Sequence, residues 1–580
     1  VCQLDAVQNC LDLKTLRRVL ARLPKTLDET YARILCSIPE DYSEHAIRIL
    51  QLLACSMHPL QIDEVAEIVA INPEGDPWFD HDARFPEQRD ILTICAGFVV
   101  EDQDSCLRFA HFSVKEYLLS GRIQDDASKY AIHEIAAHRS MAALCLAYIR
   151  QVAEYGPFEY RYFARRYPLT HYAIYQWIEH VKRLGKDFGS IENLIVEFFL
   201  AAKTAYRKWA RRVEVFLVSE DWEDYGSNVY QAAEPYDDDA FNKLEFSDED
   251  NKDDESDISK ELDHDDKDLP SPLYFASYFD AIDLARLLLN NGADVNAQGG
   301  IYHTALQKAC AENNTELMHF LIEKGADVNA QGGYYHTALQ AACTRRGIES
   351  VQLLIKEGAD VNAQGGKYHT ALQAACIYQE IESVQLLIEK GADVNAQGGR
   401  YHTALQAACH SGNFEIVQLL IEKGADVNAQ GGNYHTALQA ACYHGTFETV
   451  QLLIEKGADV NAQGGKYHTA LHAASYSGNK VVAEILLNNG ANVTESGQLR
   501  VWCKRNYVHV SGSALLVASL MSHTAIAKLL LDYGADVNAV GELDGVIKTT
   551  PLKVTDNREL VTLFQSAQES RGKQSLEDET

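Results

Sequence analysis

TALQAACIYQEIESVQLLIEKGADVNAQGGRYH occupies residues 370–402 and decides the fold of the second half of the chain. Thr370 is a good helix N-cap, and the Ala-rich turn after it lets two helices approach closely. IESVQLLIEKG then places Val384, Leu387 and Ile388 on one helical face, and Gly391 ends that helix in the left-handed conformation glycine favours. Asn395 and the Gly398-Gly399 pair suit a tight reversal. The unit reads helix, turn, helix, hairpin-like loop, and alone it cannot bury its apolar face.

It is not alone. GADVNA or a close variant begins at Gly292, Gly325, Gly358, Gly391, Gly424 and Gly457, each thirty-three positions after the last, with the looser GANVTE at Gly490. A fixed period of that length means a solenoid whose units bury one another. Units begin at Ser271, Thr304, Thr337, Thr370, Thr403, Thr436, Thr469 and Ser513, with a degenerate capping unit at Thr550. The step from Gly490 to Gly534 is longer than the others, so a segment is inserted, and ESGQLRVWCKRNYVHVSG (495–512) reads as an extended finger.

The pattern resembles the ankyrin repeat. Ser271-Pro272-Leu273-Tyr274, Thr550-Pro551-Leu552-Lys553 and Thr469–His472 stand close to that family's T-P-L-H, and the central copies read T-A-L-Q. Tyr368 and Gly365 depart from the family pattern, which predicts an altered finger loop. The resemblance implies an α-solenoid that holds protein partners on its concave surface.

Composition narrows the rest. The net charge of -31 argues against a duplex nucleic-acid binder. Residues 219–268 carry 21 Asp and Glu against four Lys, a net of -17, and read as an acidic disordered linker. Cys310, Cys343, Cys376, Cys409 and Cys442 recur with the period of the repeat, as does the His303–His468 ladder. Stacked helices lie roughly 8–10 Å apart, too far for neighbouring rungs to share a metal or a disulfide. The Cys column therefore reads as small core residues, and His and Tyr as anchors of each finger on its neighbour. No metal and no cofactor is expected, and the compartment is expected to be cytoplasmic.

Because the copies align themselves, their differences can be read. One variable column follows Gly-Gly: Ile301, Tyr334, Lys367, Arg400, Asn433 and Lys466. Another lies two residues past the Cys column: Glu312, Arg345, Tyr378, Ser411, His444 and Ser477. Ten of these form the candidate partner-binding set: Tyr334, Lys367, Arg400, Asn433, Lys466, Arg345, Tyr378, Ser411, His444 and Ser477. Two readings stand: contact with a partner of some acidic character, or drift at unconstrained exposed positions.

Within 1–215, Leu13, Leu16, Val19, Leu20 and Leu23 form one helical stripe ending at Pro24, and Thr26 with Glu29 suggests a capping box. Segments 46–56 and 59–71 read as helices, and 89–120 as helix, strand, turn at Asp102–Ser105, strand and helix. Helices with a hairpin suggest a winged-helix domain. LPKTLDETYARIL, AIRILQLLACSMHPLQIDEVAEIVAI and LRFAHFSVKEYLLS resemble the winged-helix segment, sometimes labelled GPI inositol-deacylase-like, that follows the NACHT module in fungal NLR-like proteins. YPLTHYAIYQWIEHV (167–181) resembles the helical connector of the same family. That resemblance implies a nucleotide-driven switch whose repeats sense a ligand.

The switch's NTPase has no counterpart here. There is no G-x-x-x-x-G-K-[ST], and GGKYHT (365–370) lies in a repeat finger. HEIAAH (133–138) spaces its histidines five apart, about 140° round a helix, where a zinc protease needs four. No G-x-S-x-G nucleophile occurs. RDILTICAGF is too apolar to read DNA and suits packing. Lys203, Arg207, Lys208, Arg211 and Arg212 precede the acidic stretch and could dock it.

The expected architecture is mainly α: a winged-helix and helical N-terminal region followed by an ankyrin-repeat α-solenoid. Its parts are a helical remnant (1–40), a winged helix (41–127), a helical connector (128–215), the acidic linker (219–268), ankyrin repeats (270–568) and a disordered tail (569–580). The expected role is a non-enzymatic protein-interaction module, the sensor half of a fungal NLR-like receptor. A stand-alone ankyrin scaffold and part of an NTPase with its catalytic module before Val1 are the rivals. No nucleic-acid or membrane partner is expected.

Overall fold

A computed structural model describes residues 26–71, 84–85, 87–95, 97–123, 125–154, 167–213, 269–444, 446–503 and 506–578, in two compact units, 1–300 and 301–580. The Leu13–Leu23 stripe and the acidic 219–268 segment lie outside the described residues. Most of the ordered secondary structure is helical.

The first unit opens with α1 (Leu27–Cys36), α2 (Ser43–Cys55), β1 (Leu60–Gln61) and α3 (Ile62–Glu67). It continues with α4 (Asp90–Ile94), β2 (Val99–Glu101), β3 (Cys106–Phe109) and α5 (Phe112–Leu119). The expected hairpin is present, with Ser105 at φ 60 in its turn. The sheet has a third strand that periodicity missed: β3 pairs antiparallel with Leu60 and Gln61 on its other side. The helix expected over 59–71 therefore starts only at Ile62. There Gln61 and Glu64 cap each other's backbone, and burial raises the Glu64 carboxyl. Ile91 and Ile94 of α4 face inward, in keeping with a packing role.

Thr26 Oγ1 accepts from the Glu29 amide at 3.1 Å and starts α1. That helix is not a remnant set apart from the winged helix at residue 40. Its Tyr31 packs 5.8 Å from Phe98 and 5.4 Å from Tyr117, so 27–119 share one core.

Behind the winged helix lie α6 (Glu134–Glu154), α7 (Thr170–Lys182), α8 (Glu192–Val196) and α9 (203–213). A π-helical turn over Glu197–Ala201 widens the spacing so that consecutive Phe198 and Phe199 both point inward. They join Trp177 and Trp209, with Trp209 Nε1 donating to Ile174 O at 2.9 Å. The first repeat, Pro272–Tyr278 and Ile282–Asn290, belongs to this unit: Phe275 lies 4.6 Å from Trp209.

The second unit holds paired helices that recur with the repeat, from Ala305–Ala311 and Thr315–Glu323 to Ala470–Ser477 and Lys480–Asn488. Each inner helix from Ala305 onward is Ala-rich and buried, and each outer helix buries one stripe, such as Val384 and Leu387. The insertion is a hairpin, β4 (Ser496–Cys503) with β5 (Asn506–Ser513). The next finger adds β6 (Gly541–Leu543) and β7 (Ile547–Thr549), making a sheet ordered β4-β5-β6-β7. The tail expected to be disordered from 569 is instead part of a helix, Arg558–Asp578. Leu560 and Phe564 anchor its start, and no Pro follows to stop it.

Candidate partner-binding face of the repeats

Each finger is a small closed turn. In the finger just before Thr370 the Gly365 amide donates to His369 O at 2.9 Å, leaving Gly366, Lys367 and Tyr368 at the tip. His369 sits at φ 69, and its ring packs directly on Gly398 of the next finger. The same His-on-Gly contact recurs from His303 to His435. This is why the loop carries Gly where the family pattern differs: the His ring of the preceding finger takes the space a Cβ would fill.

Further bonds lock neighbouring repeats. Gln373 Nε2 reaches His402 O at 3.0 Å, and Gln340 and Gln406 make the equivalent reach. Asn362 donates to Gly391 O at 3.0 Å and accepts from the Asp393 amide at 2.7 Å, a ladder repeated at Asn329, Asn395, Asn428 and Asn461. The finger tyrosines stack, Tyr335 on Tyr368 at 6.2 Å and Tyr434 on Tyr467 at 6.0 Å. The five periodic cysteines are fully buried, and burial pushes their thiols well up. They serve as small core residues.

The tip column runs along this framework. Backbone bonds link Tyr334 to Ile301 O, Lys367 to Tyr334 O, Asn433 to Arg400 O and Lys466 to Asn433 O, at 2.8–3.1 Å. Asn433 is exposed, and Tyr334, Lys367, Arg400 and Lys466 are half-exposed. The cations lean on aromatic faces: Lys367 lies 4.6 Å from the Tyr334 ring centre, Arg400 5.7 Å from Tyr401, and Lys466 5.4 Å from Tyr467. Lys367 also donates to the Tyr334 hydroxyl. The tips thus present positive charge held in a fixed row.

The second column behaves differently, because its side chains reach back to the repeats. Arg345 donates to Ala311 O at 2.5 Å, Ser411 to Cys376 O at 2.9 Å and Ser477 to Cys442 O at 3.1 Å. The Tyr378 and Tyr368 hydroxyls are 2.7 Å apart, and His444 Nε2 lies 2.9 Å from His410 Nδ1. Burial, with the neighbouring ring, holds His410 well below the usual imidazole range. These variable residues therefore work first as staples between repeats.

Sequence comparison overlooked the column just before it: Ala311, Thr344, Ile377, His410, Tyr443 and Tyr476. From His410 onward it is aromatic, and Tyr443 stacks at 5.0 Å on Tyr467 and 6.0 Å on Tyr476. The signal was available as variation beside the Cys column.

Family comparison agrees with this geometry. Overlapping windows between residues 273 and 541 match the family model "Ankyrin repeats (3 copies)". The C-terminal region is an array of ankyrin repeats. Residues 33–133 match "GPI inositol-deacylase, winged helix domain". A similar protein is "Azaphilone pigments biosynthesis cluster protein L" of Monascus ruber, 33% identical over 317 residues. That match covers 52% of this chain and 59% of the relative, so the chain spans less than two thirds of it. Among the described residues, no helix is long and apolar enough to cross a membrane.

Lys466 makes the ankyrin tips sensitive to pH. Burial, with Arg500 beside it, lowers its ammonium to about 8 from 10.5. The unfolded chain therefore holds more protons than the folded one between those values, and this residue's contribution to stability rises with pH across that window. Lys466→Met is expected to raise the melting temperature at pH 7, with the gain vanishing near pH 10.5. Paired thermal melts at the two pH values check it.

Proposed function

We propose that the ankyrin array is the partner-binding half of a fungal NLR-like protein, taking a protein with an acidic surface along the finger tips and the concave face. The carrying observation is the division of labour inside each repeat. Gln, Asn, His and Tyr lock neighbour to neighbour, while the tip column changes freely and collects Lys367, Arg400 and Lys466 on a chain of net charge -31. Charged tips on a rigid frame select partners by complementarity and speed encounter. The winged-helix match supports the receptor context, since that domain accompanies NACHT modules. In this reading the chain binds rather than catalyses.

The test compares the full chain with a variant carrying Lys367→Glu, Arg400→Glu and Lys466→Glu. Crosslinking followed by mass spectrometry should join a partner to the tips of the natural chain. The variant should capture at least tenfold less, with an unchanged circular-dichroism spectrum. Equal capture by both would remove the finger face from the reading. Hydrogen exchange on the same complex separates the rivals: a change within 27–213 on partner binding supports a sensor, and none supports a scaffold.

A further inference from the structure

The N-terminal unit contains a partly open cavity of about 160 Å³ where α2, α5, α6 and α7 meet. Its polar wall comprises Cys55, Ser56, Lys115, Glu134, His138 and Arg183. Ala54, Met57 and Leu119 supply an apolar wall. Each element brings its part by position. Cys55 is the last residue of α2, and Glu134 and His138 share one face at the start of α6. Arg183 follows the last turn of α7.

The charges are unbalanced. Lys115 and Arg183 line the cavity, and neither cationic group has a hydrogen-bond or ion-pair partner among the described residues. The one carboxylate, Glu134, lies 3.9 Å from His138 Nε2. His138 turns its other ring nitrogen to His180 Nδ1, 2.8 Å away, and His180 bonds the Tyr172 hydroxyl at 2.7 Å. Burial lowers both imidazoles, and it pushes the Cys55 thiol up to about 11, so these walls are neutral at pH 7. The cavity therefore carries a net charge of about +1, from two cations and one carboxylate.

We propose that this cavity binds a small organic monocarboxylate, its carboxylate between Lys115 and Arg183 and its apolar body against Ala54, Met57 and Leu119. Size and polarity set the class. An apolar cavity of about 150 Å³ holds a benzene ring, and this one is of that size with a charged rim. A forked guanidinium and an ammonium suit a carboxylate. A single surplus positive charge matches a monoanion better than a dianion. The site lies wholly in the first unit, and the proposal does not depend on what the repeats bind.

Benzoate is the probe, titrated calorimetrically into the full chain, with benzamide as its neutral counterpart and inorganic phosphate as the competing anion. Benzoate should saturate, and benzamide should bind at least tenfold more weakly. Lys115→Met with Arg183→Met should weaken benzoate at least tenfold. Both positions are exposed, so folding should persist, and an unchanged melting curve checks this. Leu119→Phe, which fills the cavity and keeps the charges, should also abolish benzoate binding. The proposal fails if benzoate shows no saturable binding, if benzamide equals it, or if either variant binds like the natural chain. Tighter binding of phosphate than benzoate would overturn the carboxylate class.

Discussion

Trp209→Ala is expected to destabilise the N-terminal unit by about 3–5 kcal/mol, the range for emptying a buried aromatic site. Trp209 is fully buried at the centre of an aromatic cluster. Its ring lies 5.7 Å from Trp177, 5.6 Å from Phe198, 5.8 Å from Phe199 and 4.6 Å from Phe275. Removing the indole opens a cavity among rings too large to collapse into it. The Ile174 carbonyl also loses its 2.9 Å bond from Nε1. The damage should spread to the first repeat, because Phe275 of Pro272–Tyr278 packs on that ring. Hydrogen exchange should therefore rise across 272–290 as well as in α9. Trp209→Phe, which keeps most of the packing and loses the N–H, should cost about 1–2 kcal/mol. Equal protection of 272–290 in the natural chain and in Trp209→Ala would show that the first repeat does not depend on this cluster.

Gly398→Ala should destabilise the array by about 3 kcal/mol. Two terms add. Gly398 sits at φ +154, where a side chain costs about 1–3 kcal/mol. A Cβ there would also lie 2.3 Å from the His369 ring, and forcing that contact open costs about 1–3 kcal/mol more. Seven positions earlier, Gly391 is the internal control: it has φ +89, but a Cβ there meets nothing within 4 Å among the described residues. Gly391→Ala should therefore carry backbone strain alone, about 1–2 kcal/mol. Urea melts of the two variants measure the difference. Because repeats are stabilised by their neighbours, exchange in Gly398→Ala should rise on both sides of the 369–398 contact. A Gly391→Ala variant as unstable as Gly398→Ala would mean that the His-on-Gly contact adds nothing.

Much of the array could be read before any coordinates, since a unit copied at a constant step is its own alignment. Thr370 as N-cap and Gly391 as helix stop are local matters of backbone preference, and both are present; the extended finger expected over 495–512 takes the form of a hairpin. The candidate site was legible only in part. Both variable columns are visible as changing letters, but letters do not say where a side chain turns. Ser411 bonding Cys376 O, and His444 meeting His410, depend on how one repeat is set against the next. The two-residue strand Leu60–Gln61 is too short to show periodicity, and only its pairing with β3 makes it a strand.

By itself, the sequence determined the repeat, its length and its core face, because fixed-step recurrence and helical periodicity are properties of the chain alone. It also determined where charge lies, in the acidic 219–268 stretch and in the Lys and Arg of the tip column. Tertiary structure alone decided which variable residues stay available and which are taken up as staples. It alone brought Lys115 and Arg183, far apart in the chain, to one cavity. The physical reason is the same in both cases: hydrogen bonds and electrostatic fields act through distance in space, and sequence separation does not measure it.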